Sequence, residues 1–355
     1  MSTTNATSSS HGAAARTGTD AVAGHTPPST MRAVVARRYG GPEELSIEQI
    51  DTPRPGPDEL LVAVAASSLN ALDWHSLTGT PYVMRASSGL RTPKRIVHGA
   101  DIAGTVVATG SAVTRFEVGD RVFGEGDGGG FAPYATIAEG NVAAIPDGVS
   151  FEAAGATPVA GLTAVQALRT HGRVRKGDHV LVNGAAGGVG TFAVQIALAL
   201  DAEVTAVCSS RNVDMVRRLG ADHVIDYEHA DFVQGGPRFD VMLDGVGNRA
   251  PADCRSVLNP DARYVVISGP KTNRWLGPIT YIVRAGLSFR RAAPSFHQFV
   301  ASANVDDLEF LGELLAHGRV VPEIDRVIGL EEVADAMAEI GTGHARSKIV
   351  VIPTA

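Results

Sequence analysis

Two patterns of hydrophobic and polar residues divide this chain near residue 155. Between residues 31 and 155, short apolar runs such as 60–64, 104–108 and 120–123 are separated by turns rich in glycine and proline, such as 53–57 and 128–130. Apolar runs of this length with breakers between them are typical of short strands. We therefore expect a compact, mostly antiparallel, barrel-like domain over residues 31–155.

Beyond residue 155 the pattern changes to strands that alternate with helices. Apolar strands are predicted at 179–183, 203–208, 223–225, 241–243 and 264–267, and helices at 189–200 and 213–219. The helix at 189–200 has almost no polar face, so we expect it to be packed on both sides. This alternation predicts a doubly wound parallel sheet, which we assign to a second domain at residues 156–292.

The two ends of the chain differ from this middle part. Residues 1–30 contain no Leu, Ile or Phe and cannot build a core, so we expect a disordered tail. Residues 293–355 show helical spacing at 306–316 and at 333–340, where Gly341 is predicted to close the helix, and end in an apolar strand at 348–352. We expect this C-terminal segment to return to the first domain.

Composition excludes several classes of function. The chain of 355 residues has 31 Lys and Arg against 38 Asp and Glu, a net charge of −7, which does not fit a nucleic-acid-binding protein. No uninterrupted apolar run approaches the roughly 18 residues that a membrane span needs. Cys208 and Cys254 cannot form a disulfide framework and fit a reducing compartment, so we expect a cytoplasmic protein.

The strongest motif is the glycine-rich turn at residues 184–190, between a predicted strand and a predicted helix. Ala185, Gly187 and Gly190 occupy the positions of the dinucleotide-binding pattern G-x-G-x-x-G, with Ala in place of the first glycine. Gly187 would let the backbone approach a pyrophosphate, and Gly190 would let helix and strand pack closely. Gly188 and Val189 begin the helix, whose free N–H groups attract anions. The motif predicts a dinucleotide site; the alternative is a glycine-rich turn without a ligand.

The choice of coenzyme depends on the end of the second strand of this sheet. An NAD site usually places an acid about 20 residues after the glycines, where it binds the ribose 2′-hydroxyl. This chain has Ser209, Ser210 and Arg211 there instead. Two hydroxyls and a guanidinium can accept a 2′-phosphate, so we expect NADPH as the coenzyme. The alternative is a solvated turn that accepts NAD loosely.

A series of short strings along the chain is similar to a known family. In order, the strings are MRAVVARRYGGPEEL from Met31, NALD from Asn70, HGADIAG from His98, VGDRV from Val118, GLTA from Gly161, AAGGVG from Ala185, LGADHVIDY from Leu219 and KIVV from Lys348. They resemble the medium-chain dehydrogenase/reductase superfamily, most closely its zinc-free quinone oxidoreductase and enoyl reductase-like branch. The resemblance implies an α/β protein with a GroES-like barrel domain and a Rossmann domain.

The resemblance also tests for a catalytic zinc. It puts Asn70, Ala100 and the pair Pro158–Val159 where zinc-dependent relatives carry their ligands, and none of these side chains can bind zinc. We interpret His98, two residues before Ala100, as a turn or hinge histidine. Without a metal to polarise a carbonyl, the chemistry shifts toward acceptors that are already activated by conjugation. We therefore expect no metal site.

The same resemblance gives candidate catalytic residues. Asn70 and Thr163 match family positions near the nicotinamide; the alternative is that both cap backbone in tight turns. His75 stands where relatives often carry Tyr and could donate a proton. Tyr82, on the following loop, is a rival donor. Asp73 is expected to tether local backbone or an arginine.

Further cofactor-binding candidates follow the later strands. Gly245 and Val246 after the fourth strand and Ser268 after the fifth are expected near the nicotinamide. Tyr227 is expected near the adenine ribose, or else as a tyrosine at the edge of the core. Lys348 could reach the cofactor or cap a strand. Residues 270–295 are expected to line or cover a cleft, and Trp275, Leu276, Ile279, Tyr281 and Ile282 in this segment suggest a hydrophobic substrate.

Together these observations favour an NADPH-dependent reductase of an enone, enal or quinone. Two alternatives stay open. One is an alcohol or polyol dehydrogenase, which the missing ligands oppose. The other is a non-catalytic NADPH-binding sensor or interaction protein. We expect a homodimer that binds a small hydrophobic carbonyl or quinone substrate.

Overall fold

The computed structural model describes residues 26–269, 279–290, 293–343 and 345–354. Residues 1–25 of the predicted tail therefore lie outside the described residues. Residues 270–278 and 291–292, which belong to the predicted cleft segment, lie outside them as well. Thr30, assigned to the tail from sequence, already belongs to the first strand and pairs with Asp51.

The first part of the chain forms short antiparallel strands. A hairpin of β1 (Thr30–Val35) and β2 (Ser46–Asp51) precedes the long strand β3 (Glu59–Ser68) and the helices α1 (Ala71–Thr78) and α2 (Arg85–Ser88). The strands β4 (Asp101–Thr109), β5 (Arg121–Glu125), β6 (Tyr134–Ala138) and β7 (Val142–Ala144) follow. All pairings among β3 to β7 are antiparallel, as the sequence pattern predicts.

The second part alternates helices with strands. Its elements are α3 (Phe151–Gly155), α4 (Pro158–Val165), β8 (His179–Asn183), α5 (Gly188–Ala199), β9 (Glu203–Cys208), α6 (Val213–Arg218), β10 (His223–Asp226), β11 (Phe239–Asp244), α7 (Pro251–Ser256), β12 (Leu258–Val266), α8 (Ile279–Ser288) and β13 (Ser295–Gln298). Six of the strands form one parallel sheet in the order β10-β9-β8-β11-β12-β13. The predicted strands and helices at 179–225 lie within a residue or two of these bounds. The sheet extends past the predicted boundary at residue 292, because β13 pairs with β12.

The C-terminal part returns to the first sheet. It consists of α9 (Val305–Ala316), β14 (Ile324–Ile328), α10 (Val333–Thr342) and β15 (Lys348–Val351). The seven-stranded sheet has the order β14-β15-β3-β4-β5-β7, with β6 on β3. The predicted end of α10 at Gly341 is wrong: the helix continues to Thr342, and Gly343 caps it in a left-handed conformation. Gly341 packs within the helix against the ring of Trp74.

The largest apolar core joins the two sheets. It contains Phe123 and Ala143 from the barrel side, Val182 from β8 of the parallel sheet, Phe192 from α5, and leucines of α9. Helix α5 is buried along most of its length, as its apolar sequence predicts. This shared core packs β8 and α5 against β4, β5 and α4.

Candidate active site

The turn at residues 184–190, which we call the phosphate turn, joins β8 to α5. It is held to the next strand, because the N–H groups of Gly184 and Ala185 both donate to the carbonyl of Val207, at 3.3 and 3.0 Å. A Cβ atom on Gly190 would lie 2.1 Å from the carbonyl oxygen of Gly184, so packing within the protein requires glycine there. Helix α5 begins immediately after Gly187 and presents its first N–H groups at this turn.

Gly187 differs from Gly190 in a way that points to a ligand. A Cβ atom on Gly187 would meet only the carbonyl oxygen of Gly184, at 3.5 Å, and its φ of −80° suits any residue. Neither packing nor backbone conformation therefore requires glycine at this position. A pyrophosphate that approaches the backbone closely would require it, and the helix N-terminus beside it favours an anion. The phosphate turn thus fits a dinucleotide.

The end of the next strand carries the predicted ribose residues, which we call the β9 turn (residues 209–211). Ser209 is buried, whereas Ser210 and Arg211 are exposed. The hydroxyl of Ser210 donates to Asp226 Oδ2 at 2.6 Å and to Glu228 Oε2 at 3.0 Å. Sequence reasoning missed these two acids, because Asp226 ends β10, Glu228 follows it, and only the register of β10 on β9 brings them here.

Tyr227 lies between these acids, at the end of β10. Its N–H donates to the carbonyl of Cys208 at 3.0 Å, which ties the segment after β10 to the end of β9. The side chain of Tyr227 is exposed rather than part of the core edge. It therefore stands at the surface beside the β9 turn, where an adenine ribose is expected.

The residues after β11 and β12 lie along the same edge of the sheet. Gly245 N–H donates to the carbonyl of Asn183 at 3.0 Å, and a Cβ on Gly184 would lie 2.8 Å from the Cγ2 of half-exposed Val246. Ile267 N–H donates to the carbonyl of Asp244 at 3.1 Å, so Ser268 follows beside them. The fold thus brings the phosphate turn, Val246 and Ser268 to adjacent strand ends, where parallel sheets bind ligands.

A buried carboxylate, which sequence reasoning missed, organises that edge. Asp244 Oδ1 accepts the amide of Asn183 at 2.8 Å and the N–H groups of Val246 and Gly247 at 3.0 and 2.9 Å. Its Oδ2 accepts the hydroxyl of Tyr264 at 2.7 Å and that of Tyr281 at 3.3 Å. Tyr281, expected from sequence beside a substrate cleft, is buried in this network and in the core of the parallel sheet. This network fixes the turn after β11 relative to β8.

A second buried group, which we call the junction cluster, consists of Ser68, Asn70, Asp73, Asp101 and Lys348. Asp101 Oδ2 accepts from Asn70 Nδ2 at 2.8 Å, from Lys348 Nζ at 3.3 Å and from the hydroxyl of Ser68. Lys348 Nζ also donates to Asn70 Oδ1. Lys348 is 1% exposed, so its ammonium is a buried positive charge between β15 and β4. Both polar atoms of the Asn70 amide are therefore used inside the protein.

Asp73 tethers backbone in this cluster, as one of the two sequence interpretations proposed. It accepts the N–H groups of Asn70 at 2.9 Å, Gly99 at 3.0 Å and Ala100 at 3.2 Å. Burial and the neighbouring Asp101 raise its pKa to about 6, against the effect of these hydrogen bonds. Asp73 thus fixes α1 to the turn before β4.

Glu125 is a titratable residue near this cluster that sequence reasoning did not single out. It pairs with Asp101 across β5 and β4, so their side chains share one face of the sheet. Its Oε2 is buried with no hydrogen-bond partner among the described residues. Burial, then Asp101, Asp73 and Asp127, raises the pKa of Glu125 to about 7. A carboxyl of this kind can hold a proton near neutral pH.

The remaining catalytic candidates lie on two elements. His75 Nδ1 is 2.7 Å from the carbonyl of Thr80, and Tyr82 packs its ring under the guanidinium of Arg85 at 4.5 Å. His75 lies on α1, and Tyr82 lies in the turn after it. Half-buried Thr163 lies on α4, where its hydroxyl donates to the carbonyl of Val159 at 2.7 Å.

The three positions that would carry zinc ligands hold other contacts. Asn70 belongs to the junction cluster, Ala100 is buried, and the N–H of Val159 donates to Asp101 Oδ1 at 2.8 Å. His98 is buried, which lowers its pKa to about 4, and its carbonyl accepts the N–H of Phe131 at 3.0 Å in a turn. Within the described ranges, no group of three or more His, Cys, Asp or Glu side chains could hold a metal ion.

Comparisons with known proteins add to this geometry. Residues 56–147 match the alcohol dehydrogenase GroES-like domain, and residues 219–351 match the zinc-binding dehydrogenase family. A chloroplastic quinone-oxidoreductase homologue of Spinacia oleracea is 30% identical over 91% of this chain and 98% of its own length. The chain belongs to the zinc-free quinone oxidoreductase and enoyl reductase branch of the medium-chain dehydrogenase/reductase superfamily.

Other members of this branch agree with the assignment. A trans-enoyl reductase of Aspergillus terreus is 33% identical over 83% of this chain and 86% of its own length. The structure of the Coxiella burnetii quinone oxidoreductase superposes with a TM-score of 0.78 at 28% identity and covers 91% of this chain and 99% of that chain. The predicted GroES-like and Rossmann architecture is thereby confirmed. The protein is a quinone or enoyl reductase type of oxidoreductase that depends on a nicotinamide coenzyme.

No helix in the part of the chain that the structure describes has the length and apolar character needed to cross a membrane.

Proposed function

We propose that this member of the branch uses NADPH, needs no zinc, and reduces small hydrophobic quinones or α,β-unsaturated carbonyl compounds. The observation that carries the proposal is the contrast at the phosphate turn. There a Cβ atom on Gly187 would meet only one protein atom, at 3.5 Å, so packing within the protein does not explain the glycine. The position lies next to the N-terminus of α5. When bound, the coenzyme supplies the hydride for the reduction.

The chain's own residues divide the work of binding along the carboxyl edge of the sheet. Ala185, Gly187, Gly188, Val189 and Gly190 hold the pyrophosphate with backbone N–H groups and with the free end of α5. Ser209, Ser210 and Arg211 face the adenine ribose together with Tyr227, and the guanidinium favours a 2′-phosphate. Gly245, Val246 and Ser268 flank the nicotinamide end.

The substrate end of the site depends on the first domain. Thr163 keeps an acceptor on its hydroxyl for a substrate or carboxamide donor. Asn70, held by Asp101 and Lys348, positions the start of α1. His75 on α1 and Tyr82 on the following turn are the candidate proton donors. Lys348 acts beside the coenzyme, since its Cδ would lie 3.4 Å from a Cβ on Gly188.

Zinc independence is supported by chemistry at the ligand positions. Asn70 offers an amide that is already bound to the Lys348 ammonium, Ala100 offers a methyl group, and Pro158–Val159 form the apolar start of α4. None of these groups is a thiolate or an imidazole, which zinc needs as ligands. An acceptor therefore has to be electrophilic through its own conjugation, because no metal ion stabilises an alkoxide.

The acceptor class is tested by a screen of coenzyme oxidation. The purified protein should oxidise NADPH with 1,4-benzoquinone, 9,10-phenanthrenequinone, 2-alkenals or crotonyl thioesters, and saturated aldehydes serve as the matched control. Turnover with at least one conjugated acceptor, and none with the saturated control, is expected. Tight NADPH binding without turnover on any acceptor would overturn the proposal.

The setting of the enzyme completes the proposal. Both cysteines are buried and free, and unpaired thiols are usual in a reducing compartment, which supports a cytoplasmic location. The acidic net charge of −7 opposes binding to nucleic acid.

The edge strand β13 offers backbone groups that a second copy could pair with, which supports a homodimer. Sedimentation at a single monomer mass would contradict the dimer.

A further inference from the structure

The β9 turn lies against two acids that its own sequence does not contain. Asp226 ends β10 and pairs in register with Cys208, the last residue of β9. This register brings the hydroxyl of Ser210 to 2.6 Å from Asp226 Oδ2 and 3.0 Å from Glu228 Oε2. The acid that the sequence lacks after β9 is therefore supplied by the neighbouring strand.

Asp226 is a fixed negative charge rather than a mobile surface acid. Its Oδ1 accepts the N–H of Glu228 at 3.0 Å, and its Oδ2 also contacts His229 Nδ1 at 2.9 Å. The hydrogen bond from Ser210 is the largest cause that lowers the pKa of Asp226, although partial burial opposes it. The carboxylate is therefore ionised at neutral pH.

The two acids affect a ribose with a free 2′-hydroxyl and a ribose with a 2′-phosphate in opposite ways. A ribose 2′-hydroxyl donates to a carboxylate, which is how acids select NAD. A 2′-phosphate brings close to two negative charges, which nearby carboxylates repel. Ser210 has one hydroxyl proton, and Asp226 and Glu228 already compete for it. Arg211 is exposed on the same turn, and its positive charge attracts the phosphate and offsets the repulsion from both acids.

We propose that Asp226 and Glu228 are specificity-determining residues that limit the preference for NADPH which Arg211 creates. They bind Ser210 and oppose the 2′-phosphate, so that NADH remains an effective coenzyme. The inference rests on the proposed function only in requiring that the phosphate turn binds a nicotinamide coenzyme.

The test measures dissociation constants by titration calorimetry for NADPH, NADH, adenosine 2′,5′-bisphosphate and 5′-AMP. The two adenosine nucleotides isolate the ribose phosphate from everything at the nicotinamide end. The variants are Asp226→Asn, Glu228→Gln and the double variant. Glu203→Gln is the matched control, since it removes one charge at the opposite end of β9, where Glu203 contacts His223 at 2.9 Å.

In the double variant, the ratio of NADH to NADPH dissociation constants should rise about tenfold, with tighter NADPH and weaker NADH. The adenosine pair should move in the same sense. The gain for the bisphosphate should shrink when salt rises from about 0.05 to about 0.5 M, because charge repulsion between exposed groups is screened. Glu203→Gln should leave the ratio unchanged.

Two failures are distinguishable. If the variants still bind both coenzymes but the ratio changes less than about twofold, Asp226 and Glu228 do not select the coenzyme. If the unmodified protein binds neither coenzyme, both the proposed function and this inference are wrong. Glu228 is exposed, so Glu228→Gln keeps the test available even if Asp226→Asn disturbs the fold.

Discussion

The phosphate turn and the junction cluster differ in how the chain builds them. The phosphate turn uses contiguous residues, 184–190, and acts through backbone N–H groups and the lack of side chains. The junction cluster uses buried side chains from β3, α1, β4 and β15, with Lys348 far along the chain from Asn70. The predicted coenzyme-binding turn is therefore local in sequence, whereas the junction cluster depends on residues that only the fold of the first domain brings together.

Lys348 connects the two regions. Its ammonium belongs to the junction cluster, its Cδ lies near Gly188, and the preceding Ser347 N–H donates to the carbonyl of Ala186 at 2.9 Å. The last strand of the chain therefore attaches the phosphate turn to the first domain. A disturbance of the junction cluster should reach coenzyme binding through this strand.

The largest expected effect is at Lys348. Lys348→Met removes the ammonium, which leaves the buried Asp101 carboxylate without its counter-charge and Asn70 Oδ1 without its donor, so the free energy of unfolding should fall by about 3 kcal/mol or more. Denaturant unfolding measures this loss. Lys176→Met, at an exposed pair with Asp201, is the control and should cost about 1 kcal/mol or less.

A second variant sharpens the interpretation of Lys348. Adding Asp101→Asn to Lys348→Met removes the uncompensated charge, so part of the lost stability should return. If the double variant is as unstable as the sum of the single variants, the ammonium and the carboxylate are not coupled.

The next effect is at Gly190. Gly190→Ala places a methyl group 2.1 Å from the carbonyl of Gly184, and helix α5 has to shift, which should cost about 1–3 kcal/mol of stability. The melting temperature measures it. An unchanged melting temperature would show that the turn and α5 are less closely packed than described.

Gly187→Ala separates ligand binding from packing. Because a methyl group at Gly187 has only one neighbour, at 3.5 Å, the melting temperature of the free protein should stay the same. The dissociation constant of NADPH should rise about tenfold, which is about 1.4 kcal/mol. Loss of stability without loss of affinity would reverse the contrast between Gly187 and Gly190.

Sequence and structure agree most closely where the information is local. The strand β8, the phosphate turn and α5 were predictable because hydrophobic period, glycine spacing and helix start occur in one continuous stretch. Asn70 and Lys348 were each singled out, yet their mutual contact was not predicted. The acids Asp226 and Glu228 were missed, because counting along β9 cannot reveal what the register of β10 adds. Asp244 and Glu125 were missed for the same reason.

The last expected effect concerns Glu125 and depends on pH. Its pKa rises from an ordinary 4.5 to about 7 in the folded protein, so between these values the folded state keeps a proton that the unfolded chain has lost. The contribution of Glu125 to stability therefore falls as pH rises through this window. Relative to the unmodified protein, Glu125→Gln should gain melting temperature between about pH 5 and pH 8. A difference between the two proteins that does not depend on pH would contradict the raised pKa.

The central claim is hydride transfer to a conjugated acceptor without a metal. The direct measurement is NADPH oxidation with 9,10-phenanthrenequinone before and after dialysis against a strong chelator, with zinc content and ethanol oxidation measured on the same samples. We expect full quinone reduction after dialysis, well under one zinc per chain, and no oxidation of ethanol. Stoichiometric zinc together with ethanol oxidation that the chelator abolishes would contradict it.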